Sequence, residues 1–353
     1  MSFIHLRYLG ETVTPWHVGR LPQRIAALGF PDLQYTRTDL MWGRGLRGPI
    51  LRQLWRSYCP LSDSRDGAAF RPEDDCPKCS MLDECPFGNL RGSDDEGEWK
   101  DKPRLIFTNL RFRLPADFQP PRLTFTTLDE EWLGTAEERG PYTVEYIPPG
   151  TRFEFEVILM ADGARFEKEF DDAVRTSLKF FGWGGRCNEG FGRGRIIERE
   201  RAGYEEFWRR YVSEPASKVL DRRELDLRVE LLLILDKDGG GYYTSTREEG
   251  FLEKFCNCVN ERYWQFTSEH IYAQEAIKGV EGGRPGLLRG WSRKLSRELI
   301  FKGISDRIRL MLGDNIEEQI AEAIALARYG IGRYKNQGFG SLLISGDRGN
   351  NED

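Results

Sequence analysis

Hydrophobic positions change their period several times along the chain, and the changes mark its elements. Residues 3–9 read as a strand, with residues 12–19 (Thr-Val-Thr-Pro-Trp-His-Val-Gly) as its exit. A short helix is expected over 21–28. The segment Gly43-Arg44-Gly45-Leu46-Arg47-Gly48-Pro49 opens another, running through Ile50, Leu51, Leu54 and Trp55 with arginines on the opposite face. Strand-like runs follow at 105–107, 110–114, 123–127, 142–147 and 153–159. Phe170, Val174, Leu178 and Phe181 then recur at helical spacing ahead of a glycine-rich loop and a short strand at 195–197.

The second half repeats this grammar. Residues 227–235 read as a buried strand, 248–263 as a helix, and 285–297 as a basic stretch. A helix carrying Ile316, Ile320, Ile324 and Ala327 precedes a second glycine-rich loop and a strand at 342–344. Strand, helix, strand, helix, glycine loop, strand is the order of a ferredoxin-like unit. The expected fold class is therefore α+β, with tandem ferredoxin-like (RRM-like) domains. Their expected bounds are 1–200, with an insertion at about 59–102, and 225–346. Residues 201–224, charged and helix-prone, form the expected linker or docking segment, and 347–353 a disordered tail.

The two loops match each other closely. Gly182, Gly184, Gly190 and Gly192 fall at the same offsets as Gly330, Gly332, Gly338 and Gly340. Glycines joining helix to strand let backbone N–H groups face outward and cradle a phosphate, although two tight structural turns would give the same spacing. The start of the helix at Gly43 is a second anion site by its dipole and unpaired N–H groups.

Composition narrows the class. A hydrophobic fraction of 39% supports two packed domains in 353 residues, and no apolar run is long enough to span a bilayer. The start of the chain lacks the pattern of a signal peptide, so a cytoplasmic protein without a membrane partner is expected. The formal charge of −5 excludes a uniformly basic nucleic-acid binder, yet the signs are segregated. Arg44, Arg47, Arg52 and Arg56 cluster early, and Arg284, Arg289, Arg293, Lys294, Arg297, Lys302, Arg307 and Arg309 late.

Four of the seven cysteines, Cys59, Cys76, Cys79 and Cys85, have the spacing C-x16-C-x2-C-x5-C. Thiolates so arranged can close one tetrahedral structural zinc site, a zinc-knuckle-like insertion in the first domain; partly oxidised or simply free cysteines are the alternative. Four thiolates leave no open position for catalysis by the metal.

With these pieces in place the chain resembles the repeat-associated (RAMP) proteins of CRISPR systems, tandem ferredoxin-like domains with a glycine-rich loop before the last strand. Both 182–192 and 330–340 satisfy that loop's form. Leu46-Arg47-Gly48 leading into the cysteines, and Ile331-Gly332-Arg333-Tyr334-Lys335 before Gly338-Phe339-Gly340, are similar to the endoribonuclease that processes CRISPR repeat RNA. Val144 to Phe153 and Gly184-Gly185-Arg186 look equally like the guide-RNA-binding backbone subunits of effector complexes, which need not cut. An unrelated zinc-stabilised binding module is the remaining reading.

The enzyme resemblance implies metal-independent cleavage, in which a ribose 2′-OH attacks the adjacent phosphate to leave a 2′,3′-cyclic phosphate and a 5′-OH. Histidine suits the proton transfers because it titrates near neutrality, and the chain has three. His17 is the favoured candidate; His5 sits in a strand pattern and His270 has no supporting motif. Tyr334 with Lys335 is the second constellation. The implied partners are CRISPR repeat or guide RNA and other effector subunits. The expected RNA-binding residues are Arg44, Arg47, Arg186 and Arg193, with Gly330, Gly332, Arg333, Lys335, Gly338 and Gly340 of the second loop. Arginine pairs bidentately with phosphate and stacks on bases. Phe191 and Phe339, each between two glycines, would either stack on a nucleotide or plug the core.

Overall fold

A computed structural model describes residues 3–19, 33–59, 79, 84–91, 103–125, 142–292, 297–314 and 316–345. The helix expected over 21–28, Cys76 and the tail at 347–353 lie outside the described residues. The first unit runs β1 (Phe3–Thr12), β2 (Leu33–Gln34), β3 (Leu40–Met41), α1 (Gly43–Tyr58), α2 (Pro86–Arg91), β4 (Leu105–Phe107), β5 (Leu110–Phe112), β6 (Arg122–Phe125), β7 (Tyr142–Glu145), β8 (Arg152–Met160), α3 (Glu167–Thr176) and β9 (Gly194–Ala202). The stretch 201–224 forms α4 (Tyr204–Phe207) and α5 (Glu214–Leu220), joined by a π-type turn over Trp208–Ser213. The second unit then runs β10 (Glu224–Leu233), α6 (Phe251–Thr267), β11 (Ile277–Ser292), β12 (Arg297–Leu312), α7 (Glu318–Leu326) and β13 (Ser341–Ile344).

In the first sheet β1 lies between β8 and β9, antiparallel to both, and β4 and β5 pair with the far side of β8. In the second, β10 lies between β12 and β13, with β11 beyond β12. Each order puts the first strand beside the third and the last, so the chain is a tandem pair of ferredoxin-like units. A small sheet, β2-β7-β6, stands apart and carries Tyr142 and Phe125.

β1 is buried on both faces over its first four residues, and from Arg7 onward half-buried and buried positions alternate. Leu6 and Tyr8 join one core with Leu46, Ile50 and Leu54 of α1 and Phe170 and Val174 of α3. Phe3 joins the other, where its ring meets Phe207 at 4.9 Å and Phe266 at 5.6 Å. The second core also takes Ile106, Ile158 and Met160 from the first sheet, and Tyr211, Val212 and Val219 from the helical segment between the units. The second core therefore spans both units.

The long β11–β12 hairpin replaces what the sequence reading took as a basic stretch at 285–297. Its glycines and Pro285 obscured β11. β12 had a legible alternation, with Phe301, Ile308 and Leu310 buried and Lys302, Arg307 and Arg309 exposed. Phe181 does not follow the expected helical stripe. It continues the Phe170, Val174, Leu178 stripe in sequence, yet it is 46% exposed while those three are fully buried. The helix widens to a π-type turn over Ser177–Phe181, closed by the Gly182 N–H donating to the Ser177 carbonyl at 2.9 Å. More residues per turn make Phe181 fall short of the stripe.

The seam between the units is polar where the second glycine loop meets the first sheet. The buried Asn109 side chain accepts from the Gly43 N–H at 3.1 Å and donates to the Gly338 carbonyl at 2.9 Å and to Glu230 at 3.2 Å. Glu230 also accepts from Arg111 at 2.8 Å. Nearby, Glu156 of β8 takes Arg328 at 3.0 Å, the Tyr329 hydroxyl at 3.1 Å and His5 at 2.9 Å. Burial alone would raise the Glu156 pKa, but Arg328 and His5 outweigh it and hold the carboxyl well below its usual range.

Replacing Asn109 with Leu strips three buried groups of a partner. The expected cost is about 3 kcal/mol, read as a lower urea midpoint; an unchanged midpoint would show that the seam does not depend on this side chain.

Candidate nucleic-acid interface

The two glycine loops share their backbone design as well as their spacing. Arg186 and Tyr334, each four residues after the first glycine, both adopt left-handed backbone, at φ 57° and 58°. Trp183 and Ile331 are both fully buried, and each donates its N–H across the loop to the last glycine, Gly192 at 2.8 Å and Gly340 at 3.1 Å. A Cβ on Gly192 would stand 2.2 Å from the Trp183 carbonyl, and one on Gly340 2.1 Å from that of Ile331. These glycines therefore permit the loop to close on itself. Phe191 and Phe339 are 4% and 0% exposed, so they plug the core and do not stack on a nucleotide.

The expectation of outward-facing N–H groups does not hold at the positions with assigned partners. Gly185 donates to the His17 carbonyl at 2.8 Å and Gly192 to that of Pro15 at 2.8 Å. In the second loop Arg333 donates to Ile234 at 2.9 Å and Gly340 to Leu232 at 3.0 Å.

The second loop is docked against the first unit. A Cβ on Gly338 would lie 2.0 Å from Asn109 Oδ1, whereas one on the matching Gly190 would meet nothing. From below, fully buried Arg262 of α6 donates to the carbonyls of Gly330 and Tyr329, at 2.5 and 3.1 Å. Burial pulls its pKa down to about 9, so it remains charged at neutral pH. Lys335 pairs with Glu261 at 2.6 Å, and burial lowers its pKa. Arg333 bonds Asp236 at 3.1 Å and the Tyr242 hydroxyl at 3.2 Å. The Tyr334 ring packs on Phe301 at 5.4 Å and Phe339 at 5.8 Å. Gly330 is buried within this packing and Gly332 is half-buried.

The first loop has a different neighbourhood. Trp16, fully buried between Phe153 and Trp183, donates its indole N–H to the Arg193 carbonyl at 2.8 Å and so ties the exit of β1 to the loop. The next residue is His17, 4% exposed, whose main chain pairs with Gly185. Its Nδ1 lies 2.9 Å from the Glu145 carbonyl. A carbonyl only accepts, so Nδ1 carries the proton and Nε2 holds the lone pair of the neutral ring. Burial lowers the His17 pKa, the Glu145 carbonyl opposes the shift, and Arg186 adds to it. Neutral His17 with a defined basic nitrogen is a group able to take a proton.

Arg186 donates to Glu189 at 2.6 Å and to the Tyr142 hydroxyl at 3.1 Å, with its guanidinium 4.5 Å from the centre of the Tyr142 ring. Tyr142 stacks on Phe125 at 5.4 Å. The buried Glu145 carboxylate accepts from Arg122 at 3.1 Å. A base, an arginine and a stack of two aromatic rings are thus held together by the first loop and the small sheet. Sequence reasoning named His17 and Arg186 but missed Tyr142, Phe125, Glu145 and Arg122. The pair Phe125 and Tyr142 lay in strand-like runs with nothing to indicate that they stack.

Arg193 and Arg44 have exposed side chains, and Arg47 is half-buried. The start of α1 is no open anion site: the Gly43 N–H goes to Asn109 and the Arg44 N–H to the Gln337 carbonyl at 3.1 Å. This helix start nevertheless lies between the two loops, because a Cβ on Gly184 would reach Met41 Sδ at 3.8 Å. Of the cysteines, Cys59 and Cys85 are buried, Cys79 is partly so, and Cys85 Sγ accepts from the Gly88 N–H at 3.4 Å. Among the described residues no three His, Cys, Asp or Glu side chains are grouped so as to hold a metal.

A family model for the RAMP superfamily matches residues 10–195, more than half of the chain. The chain belongs to that superfamily. Among solved structures, a Cas6 product complex is similar at a TM-score of 0.45 and 12% identity, over 98% of this chain and 99% of that one. A second Cas6 product complex gives 0.44 and 12%, over 97% and 99%. A Type III-B Cmr-beta structure bound to cognate target RNA gives 0.38 and 13%, over 57% and 61%. No curated protein sequence matches the chain. No helix among the described residues is long and apolar enough to cross a membrane.

Because burial holds His17 below its ordinary value of 6.5, the folded ring resists a proton that the unfolded chain accepts. Stability from this group is full above that pH and declines as pH falls through it. Ring ¹⁵N chemical shifts should report a neutral Nδ1–H tautomer at pH 7; a pKa at or above 6.5 would contradict this placement.

Proposed function

We propose that the chain is a CRISPR-associated RNA-binding protein that cuts repeat RNA by transesterification, leaving a 2′,3′-cyclic phosphate and a 5′-OH without a catalytic metal. In this reading the first loop carries the chemistry. His17 Nε2 takes the proton of the attacking 2′-OH, Arg186 meets the non-bridging phosphate oxygens as Glu189 gives way, and the P–O5′ bond breaks with the departing 5′-oxygen taking a proton from water. The observation that carries it is the pairing of His17 with Gly185 beneath that loop, with its Nδ1 committed to the Glu145 carbonyl. Arg44, Arg47 and Arg193 lengthen the path for the strand. The second loop contributes chiefly position, since Lys335 is paired and Tyr334 is packed; Arg333, beside Tyr242, remains its contact for RNA. Membership of the RAMP superfamily supports the RNA, and a cytoplasmic setting suits it.

The burial of His17 favours a second reading, a guide-RNA-binding backbone subunit that docks with other effector subunits and does not cut. Incubating the protein with CRISPR repeat transcripts in EDTA separates the two. Site-specific cuts ending in cyclic phosphate are the expected result, and tight binding without cuts assigns the scaffold. His17→Asn, which keeps a donor for the Glu145 carbonyl, should lower cleavage by about 10²-fold or more while binding is kept. Undiminished cutting would remove His17 from the mechanism. Arg186→Ala should weaken binding and flatten its salt dependence.

The four cysteines, in the same reading, hold one structural zinc that clips the insertion to α1. The burial of Cys59 and Cys85 and the Cys76-x2-Cys79 spacing support this. Metal analysis should find about one zinc per chain, lost together with thermal stability in Cys85→Ser; a metal-free protein of full stability would refute it.

A further inference from the structure

Two large aromatic side chains stand in solvent immediately before the first glycine loop. Phe180 is 57% exposed and Phe181 46%. The π-type turn over Ser177–Phe181 puts them there, since a regular helix would carry Phe181 into the buried stripe of Phe170, Val174 and Leu178. Such turns are frequent at functional sites, and this one gives up the burial of a phenylalanine, which a purely structural helix end would have kept.

Each ring has a cation on it. The Arg56 guanidinium, from the last turn of α1, lies 4.8 Å from the centre of the Phe181 ring, and Lys179 Nζ 5.0 Å from that of Phe180. Arg52, also exposed, lies one turn before Arg56 on the same face of α1. Glu169 and Asp172 of α3 lie close enough to Tyr58, at the end of α1, to help raise its pKa after burial. A chain of net charge −5 thus sets a cation on each of two adjacent exposed rings, with Arg52 one helical turn away.

We propose that Phe180 and Phe181 form a stacking platform for two successive bases of single-stranded RNA, with Arg52, Arg56 and Lys179 meeting the flanking phosphates. A cation over one face of a ring leaves the other to a base, and stacking with nearby positive charge is how unpaired strands are held irrespective of sequence. Gly182 follows Phe181 directly, so the platform continues the path past Arg186. The inference rests on the RNA-binding reading above and adds to it a site for strand outside the reacting nucleotides.

The test is fluorescence anisotropy of a short fluorescein-labelled single-stranded oligouridine with the full-length protein. Phe180→Leu/Phe181→Leu keeps apolar bulk but no ring face, and should weaken binding at least about fivefold for each ring, whereas Phe180→Trp/Phe181→Trp should retain it. Arg56→Gln/Lys179→Gln should lower the salt slope by roughly 0.7 for each cation lost. Both pairs are surface changes, and matching thermal midpoints will show that the variants are folded. Wild-type affinity in the double Leu variant, with Arg186→Ala weakened, overturns the platform while sparing the function proposed above, and assigns the rings to a protein partner. Absence of binding by the unaltered protein overturns both.

Discussion

The carboxamide of Asn109 gathers three parts of the molecule that the chain keeps far apart: the start of α1, the second glycine loop and the Glu230 carboxylate on β10. It can do so because an amide both donates and accepts, and its burial makes each of those bonds costly to lose. Around it the second loop acts as a wedge between the units. Arg262 draws the carbonyls of Tyr329 and Gly330 from one side, and the first sheet receives Asn336 and Gln337 from the other, with Phe107 donating to the Asn336 carbonyl at 3.2 Å. The position of one half on the other follows from this wedge together with the apolar contacts of Phe3, Phe207 and Phe266.

That arrangement divides the labour between two loops of one design. Their backbones agree down to the left-handed residue in the middle and the buried side chain after the first glycine. Their surroundings differ. The second loop is enclosed, and its basic residues are satisfied by Glu261 and Asp236. The first keeps Gly190 open, holds His17 beneath it, and sets Arg186 against the Tyr142 and Phe125 rings. A duplicated element has become a structural joint in one copy and the centre of a surface in the other. The extra width of the helix before the first loop fits this division, since it turns Phe180 and Phe181 outward next to the same surface.

Much of the fold was legible in the residues. The glycine offsets revealed the duplication, and the strand runs and helical stripes revealed two ferredoxin-like units, because period and turn chemistry are local properties. His17 and Arg186 were legible as chemical types, and the structure brings them to one loop. The β11–β12 hairpin was not read, because glycine and proline mask a strand whose ladder is supplied by its partner. Phe181 was misplaced because one turn of changed pitch leaves no mark in a hydrophobic period.

By itself, the sequence determined that the chain is a repeat of one α+β plan with matched glycine turns and a closely spaced set of cysteines, since each of these depends on residues near one another along the chain. Only the tertiary structure decided which turn is enclosed and which is open, that Glu145 orients His17, and that Lys335 and Arg333 are already paired. Those outcomes depend on side chains brought together across more than a hundred residues of separation in the cases of His17 with Glu145 (|i−j| = 128) and Asn109 with Gly338 (|i−j| = 229). Burial and charge pairing act through space, and spacing along the chain carries no record of them.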